Sequence, residues 1–152
     1  MSSPFLEEAA VWLAEAEVDL SAARALANSH PNVACFHAQQ AAEKALNAVY
    51  LTHDVDFPQV HAISSLLDGV AAVHPELERY RSAAAVLNAY YIGTRYFVRE
   101  IGAAPAATYT AENALDAISE AEAICGQCQQ IYAQRLTRIK PEASEAQTPE
   151  AT

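Results

Sequence analysis

Apolar residues recur every three or four positions through most of this chain. Near the start they fall at Phe5, Ala9, Trp12, Ala16, Leu20, Ala23 and Ala27, the spacing that lines one face of an α-helix. Ser3 stands where an N-cap is needed, and Pro4 occupies the first helical position, where its missing N–H does no harm. This first helix is predicted from Pro4 to Ala27, because Pro31 pushes His30 out of the helical region. A second helix is predicted over Asn32 to Thr52, followed by a polar loop from His53 to Gln59. A shorter third, His61 to Val73, turns Ile63, Leu66, Leu67, Val70 and Val73 inward. A fourth starts at Pro75 and runs to Ile101, with a bend near Gly93. After a loop of small residues from Gly102 to Tyr109, a fifth helix begins behind Thr108 or Thr110 and reaches Lys140. Its apolar stripe is read as Ala111, Leu115, Ile118, Ala121, Cys125, Cys128, Tyr132, Leu136 and Ile139.

No alternating strand pattern and no repeat of solenoid length occurs. The sequence therefore predicts an all-α domain over residues 1–140, an antiparallel up-and-down bundle of about five helices. Residues 141–152 hold three Glu, two Pro and no large apolar residue, and are predicted to be a disordered acidic tail.

Composition agrees with this picture. Ala is the commonest residue and only four Gly occur, a bias that favours helix because Ala loses no side-chain entropy there. At 152 residues, 52% of them hydrophobic, the chain can bury a sizeable core without disulfides or metal. The formal net charge is −10, which argues against general binding to nucleic acid, DNA included, or to anionic membranes while leaving room for a local basic patch. No secretory leader pattern opens the chain, no apolar run approaches the roughly 20 residues that span a bilayer, and three cysteines make no disulfide framework. A cytoplasmic protein without a cofactor is expected.

The stretch from Arg79 to Arg99 changes the bland picture. It holds Arg79, Arg81, Arg95 and Arg99 and no acid, in a chain with nine Lys and Arg against nineteen Asp and Glu. On a continuous helix, Arg81, Asn88, Tyr91, Arg95 and Arg99 fall within an arc of roughly 80°. Guanidinium forks, an amide and a phenol in a row suit phosphate oxygens and a stacked base. The competing reading is a set of ion pairs within the bundle. On helix two, His37, Gln40 and Lys44 lie within about 60° of one another, either as a polar cluster facing helix four or as a solvated stripe beside an Ala-rich seam.

The segment Phe36-His37-Ala38-Gln39-Gln40-Ala41-Ala42-Glu43-Lys44-Ala45-Leu46 resembles the signature helix of the HEPN family (higher eukaryote and prokaryote nucleotide binding). Trp12-Leu13 with Ala16, Asp19-Leu20 and Ala22-Ala23 is similar to that family's first helix. His61 before Ile63 and Leu66-Leu67 resembles its His-aspartate-leucine stretch, and Tyr91 followed by Thr94-Arg95-Tyr96 its tyrosine and arginine-tyrosine-proline element. The resemblance spans roughly Phe5 to Ile139. It implies a homodimer, a minimal nucleotidyltransferase as partner, a toxin–antitoxin type of module, and binding of a nucleotide or RNA. The residues assigned to that binding are Arg95 and Arg99 for phosphate, Tyr91 and Asn88 beside them, and His37, Gln40 and Lys44 at the rim.

Many members of the family are metal-independent ribonucleases using an Arg, four to six residues, then a His. Here no His follows Arg95 or Arg99 in range, and Phe97 stands where the family usually has Pro. Arg24 and His30 have the spacing, but at the end of helix one, away from the family's active site. No catalytic residue is assigned; the alternative is a ribonuclease toxin with a divergent site combining Arg95 and His37. Cys125-Gly126-Gln127-Cys128 supplies two of the four ligands a structural zinc needs, with no second pair, so both cysteines are read as core thiols and no metal site is expected.

Overall fold

The computed structural model describes residues 2–97 and 99–145, with side chains as far as Lys140. Helix α1 spans Pro4–Leu26 and α2 Pro31–Thr52; α3 is Ile63–Ala71. A 3₁₀ turn, Pro75–Tyr80, leads into α4, Arg81–Asn88; α5 is the short Pro105–Thr108 and α6 the long Ala111–Glu145. No strand occurs among the described residues, as the all-α reading requires. The helix α6 continues past Lys140 to Glu145; the rest of the expected acidic tail, 146–152, lies outside the described residues.

The helices run up and down. The Ser3 hydroxyl caps α1 by accepting from Leu6 N at 3.2 Å and donates to Asp54, just beyond the end of α2, at 2.6 Å. The start of α1 therefore lies beside the end of α2. Tyr132 of α6 donates to the Leu6 carbonyl, and Glu122 pairs with Arg24. As α1 ascends from residue 6 to 24, α6 descends from 132 to 122, which makes α6 antiparallel to α1.

Helix α2 is the axis of the bundle. Ala34, Ala38, Ala41, Ala42, Ala45 and Ala48 are buried on different sides of it, with Cys35, Leu46, Val49 and Leu51. A helix buried on nearly every side, with Gln39, Glu43 and Asn47 among its buried residues, must be surrounded, and α2 touches every other α-helix of the fold. Its alanines allow neighbouring backbones to approach closely. Leu6, Leu13 and Leu20 of α1 and Ile118, Ile124 and Ile131 of α6 fill the remaining space.

Three expectations need correction. Trp12 is only partly buried: it meets Phe57 edge-on at 5.1 Å and its indole N–H donates to Glu8. Leu115 is 57% exposed and Val73 64%; the buried face of α6 is set by Ala114, Ala117, Ile118 and Ala121. Most important, α4 ends at Asn88. The following residues form successive turns, with Arg95 N and Tyr96 N both bonded to the Ile92 carbonyl. Tyr90, Tyr91, Ile92, Gly93, Thr94, Tyr96 and Phe97 are aromatic, β-branched or glycine, all weak helix formers. Thr94 is buried; its hydroxyl bonds the Tyr90 carbonyl at 2.5 Å, and its own carbonyl accepts from Asn32 at the start of α2. Gly93 lets this segment close against Tyr109, whose hydroxyl would lie 2.6 Å from an added Cβ.

Candidate ligand-binding site

The early end of α4 rearranges the arginine face. Arg81 pairs with Glu78 and Asp68 and is a structural cation. Asn88 accepts from Ser64 N at 3.2 Å and donates to Ser64 Oγ at 2.7 Å. It closes the first turn of α3, which has no side-chain cap of its own, and so is engaged in structure. Arg99 is exposed and forms no ion pair or hydrogen bond among the described residues.

Tyr91 and Arg95 do come together, though not on a helix face. The Arg95 Nε–H donates to the Tyr91 carbonyl at 2.9 Å. That bond holds the guanidinium carbon 4.7 Å from the Tyr91 ring, 4.4 Å from Phe36 of α2 and 5.1 Å from Tyr96. All three fall inside the range over which a cation is drawn to an aromatic face, worth about 0.5–1 kcal/mol each when exposed. No carboxylate of the described residues lies within ion-pair distance of Arg95. His61 also lies nearly parallel to Tyr91, with ring centroids 4.4 Å apart.

A ladder of planar groups results, in the order His61, Tyr91, Arg95, Phe36. Its ends are anchored on α2. His61 Nδ1 bonds Glu43 Oε1 at 2.9 Å. The other oxygen of Glu43 accepts from Gln39 at 3.0 Å and Gln40 at 3.2 Å. Gln39, fully buried, also donates to the His61 carbonyl. A carboxylate with this many donors holds its geometry. Two recesses flank the ladder. One of about 420 Å³ is lined by Asn32, Phe36, Arg95 and Pro105, and one of about 240 Å³ by His61, Asn88, Tyr91 and Ile92.

The helix α2 trio does not form one cluster facing α4. His37 Nδ1 donates to Asp19 of α1 at 2.8 Å, and Lys44 lies 2.7 Å from the second oxygen of the same carboxylate. Asp19 is buried; His37 turns only its Nδ1 to it, whereas Lys44 gives its whole ammonium group, which takes Lys44 away from a ligand rim. Gln40 turns the other way, to Gln39 and Glu43. His37 stays beside the ladder through Phe36, ring to ring at 5.7 Å. Phe36 and His61 lie outside the set of residues that the sequence assigns to binding. The signal for Phe36 is an aromatic directly before His37 on a helix otherwise packed with alanine.

The cysteines are all buried. Burial pushes the Cys35 thiol up to about 11, the Cys125 thiol up to about 12 and the Cys128 thiol well above its ordinary value, which disfavours the thiolate that a nucleophile needs. No helix among the described residues is long and apolar enough to cross a membrane.

The model of the HEPN domain matches residues 9–131. The crystal structure of TT1696 from Thermus thermophilus superposes with a TM-score of 0.73 at 32% identity, over 82% of this chain and 98% of that one. An archaeal HEPN homologue, ST0689, superposes with a TM-score of 0.67 at 28% identity and the same coverage. No curated protein matches the chain. A family match across most of the folded residues, on a bundle of this form, makes the chain a member of the HEPN family.

Proposed function

We propose that this HEPN protein binds a nucleotide or a short single-stranded RNA segment at the Arg95 face, and that it does so as one half of a module with a minimal nucleotidyltransferase. One observation carries the reading: Arg95 presents a guanidinium packed against aromatic rings, without a carboxylate among the described residues, at the edge of an open groove. Phosphate oxygens match the free donors of such a fork, and a base can stack on Tyr91, Phe36 or Tyr96. Arg99 and His37 complete the rim. Lys44 and Asn88 are occupied elsewhere and drop out of it. In a chain of net charge −10, binding is confined to this local patch and weakens with salt.

The partner half of the proposal draws on exposed Ile92, Tyr96, Phe97 and Ile101, which gather apolar surface on the same segment. A homodimer or a bound nucleotidyltransferase would cover it, and the toxin–antitoxin role follows from that pairing. The test is Arg95→Ala, read by anisotropy of a labelled oligoribonucleotide and by thermal melting. Loss of about ten-fold in affinity with an unchanged melt supports the site. A collapsed melt, with no binding by the wild type, makes Arg95 a structural residue and ends the proposal.

A second reading is the metal-independent ribonuclease. It is favoured by the Asp19–His37 bond, which fixes Nδ1 as the donor and leaves Nε2 as the free imidazole nitrogen. It predicts RNA cleavage in EDTA that His37→Ala abolishes, and growth arrest on expression. Intact RNA after long incubation excludes it.

A further inference from the structure

Away from the ladder, His53 and His74 meet edge to edge. Their Nε2 atoms lie 2.6 Å apart and their ring centroids 4.9 Å. Both backbones are pinned: His53 closes α2, its N–H bonded to the Tyr50 carbonyl, and His74 N–H bonds the Val70 carbonyl. His74 then enters the 3₁₀ turn, and its Nδ1 donates to Glu76 at 3.1 Å. That bond fixes the tautomer and leaves the His74 Nε2 lone pair aimed at His53. The His74 side chain is only 16% exposed. A recess of about 150 Å³ lined by Tyr50, Val55, Gly69, Val70 and Val73 opens beside the pair.

We propose that His53 and His74 form a two-imidazole site for a divalent transition-metal ion of the zinc, nickel or copper class, with Glu76 as the outer carboxylate. Imidazole nitrogen suits these ions above the hard cations. A ligating His commonly gives its second N–H to a carboxylate, as His74 does to Glu76. Metal–nitrogen bonds of about 2.0–2.1 Å put two nitrogens on one tetrahedral ion roughly 3.3 Å apart. The pair reaches that spacing by opening less than about 1 Å, which the exposed His53 ring permits. No third protein ligand joins them among the described residues, so water or a donor from another molecule fills the remaining positions.

The charges facing the pair are mixed. Asp54 and Glu76 attract a cation, while Arg135 and Arg138 of α6 oppose it. Partial burial, then His74, lower the His53 pKa from its ordinary 6.5, and the neutral imidazole is the form that binds metal.

The experiment is calorimetric titration of the tag-free full chain with zinc chloride, repeated with nickel, at about pH 7.5. One binding event per chain is expected. His53→Ala and His74→Ala each abolish it, and Glu76→Gln, which leaves both ligands in place, weakens it about ten-fold. His30→Ala leaves it unchanged, and the buried cysteines do not compete. A titration without a stoichiometric event, or one that the His53→Ala/His74→Ala double variant does not alter, overturns the proposal and leaves the pair as imidazoles sharing one proton.

Discussion

His61 lies flat on Tyr91, with planes inclined by 13° and ring centroids 4.4 Å apart. The arrangement matters because Tyr91 has a second neighbour. The ring that His61 supports is the ring Arg95 approaches to 4.7 Å, and His61 is itself tied to Glu43. The aromatic platform is therefore held before any ligand arrives, which lowers the ordering cost of binding.

Removing the middle rung is the sharpest way to test the platform. Tyr91→Ala is expected to weaken oligoribonucleotide binding about ten-fold, the worth of one stacking contact. Tyr91→Phe keeps the face and should stay within about two-fold of wild type. The comparison is made by fluorescence anisotropy at fixed salt. Equal losses in both variants would show that the hydroxyl, and not the ring, carries the effect.

Asn88 separates structure from binding. It bonds both the backbone and the hydroxyl of Ser64 in the first turn of α3. Asn88→Ala should destabilise the bundle by about 1 kcal/mol, as loss of a helix cap does, and lower the melting temperature by roughly 2–4 °C. Affinity at the Arg95 face should not change. Weaker binding with an unchanged melt would return Asn88 to the site.

The parts legible in the sequence are those where burial alone decides. Both ends of α1 and the start of α2 follow from Ser3, Pro4 and Pro31, the end of α2 from the polar run after Thr52, and their apolar spacing from close helix packing. The segment after Asn88 was not legible by that route. A 3.6-residue period can be drawn through Tyr91, Arg95 and Arg99, but it says nothing of the Thr94 hydroxyl bonding the Tyr90 carbonyl, or of Gly93 packed on Tyr109. The arginine row dissolves for that reason, and Arg81 goes to carboxylates on neighbouring elements. On α6, alanines on several faces blur the contrast between sides, so periodicity alone puts Leu115 on the wrong one. The contact of Phe36 with Arg95 joins residues 59 positions apart, a proximity that local spacing does not encode.

Thiol chemistry tests the reading of Cys125 and Cys128 as core residues. Both lie on the buried face of α6, and burial raises each thiol, Cys125 to about 12 and Cys128 well above its ordinary value. The native chain should react with Ellman's reagent at least about 100-fold more slowly than the unfolded chain, because the thiolate is the nucleophile. All three thiols should titrate together in denaturant. Fast native reaction of one of them would place it at the surface.

The acid side of the stability profile should follow His53. Partial burial and then His74 lower the His53 pKa from its ordinary 6.5, with Arg135 and Arg138 adding to the depression and Asp54 opposing it. A histidine depressed in the folded state binds fewer protons there than in the unfolded chain. Its stabilising contribution is therefore present above pH 6.5 and is lost as pH falls through that value toward the depressed one. Melting temperature, measured in EDTA to remove any metal, should decline across this window. His53→Ala should flatten the decline, because the unfolded chain then loses its proton advantage at this position. Below it, Glu76 and Glu78, both held under the usual carboxylate range, produce a second decline that the variant retains. A wild-type curve flat from neutral pH to the carboxylate range would mean that His53 titrates as an ordinary surface group.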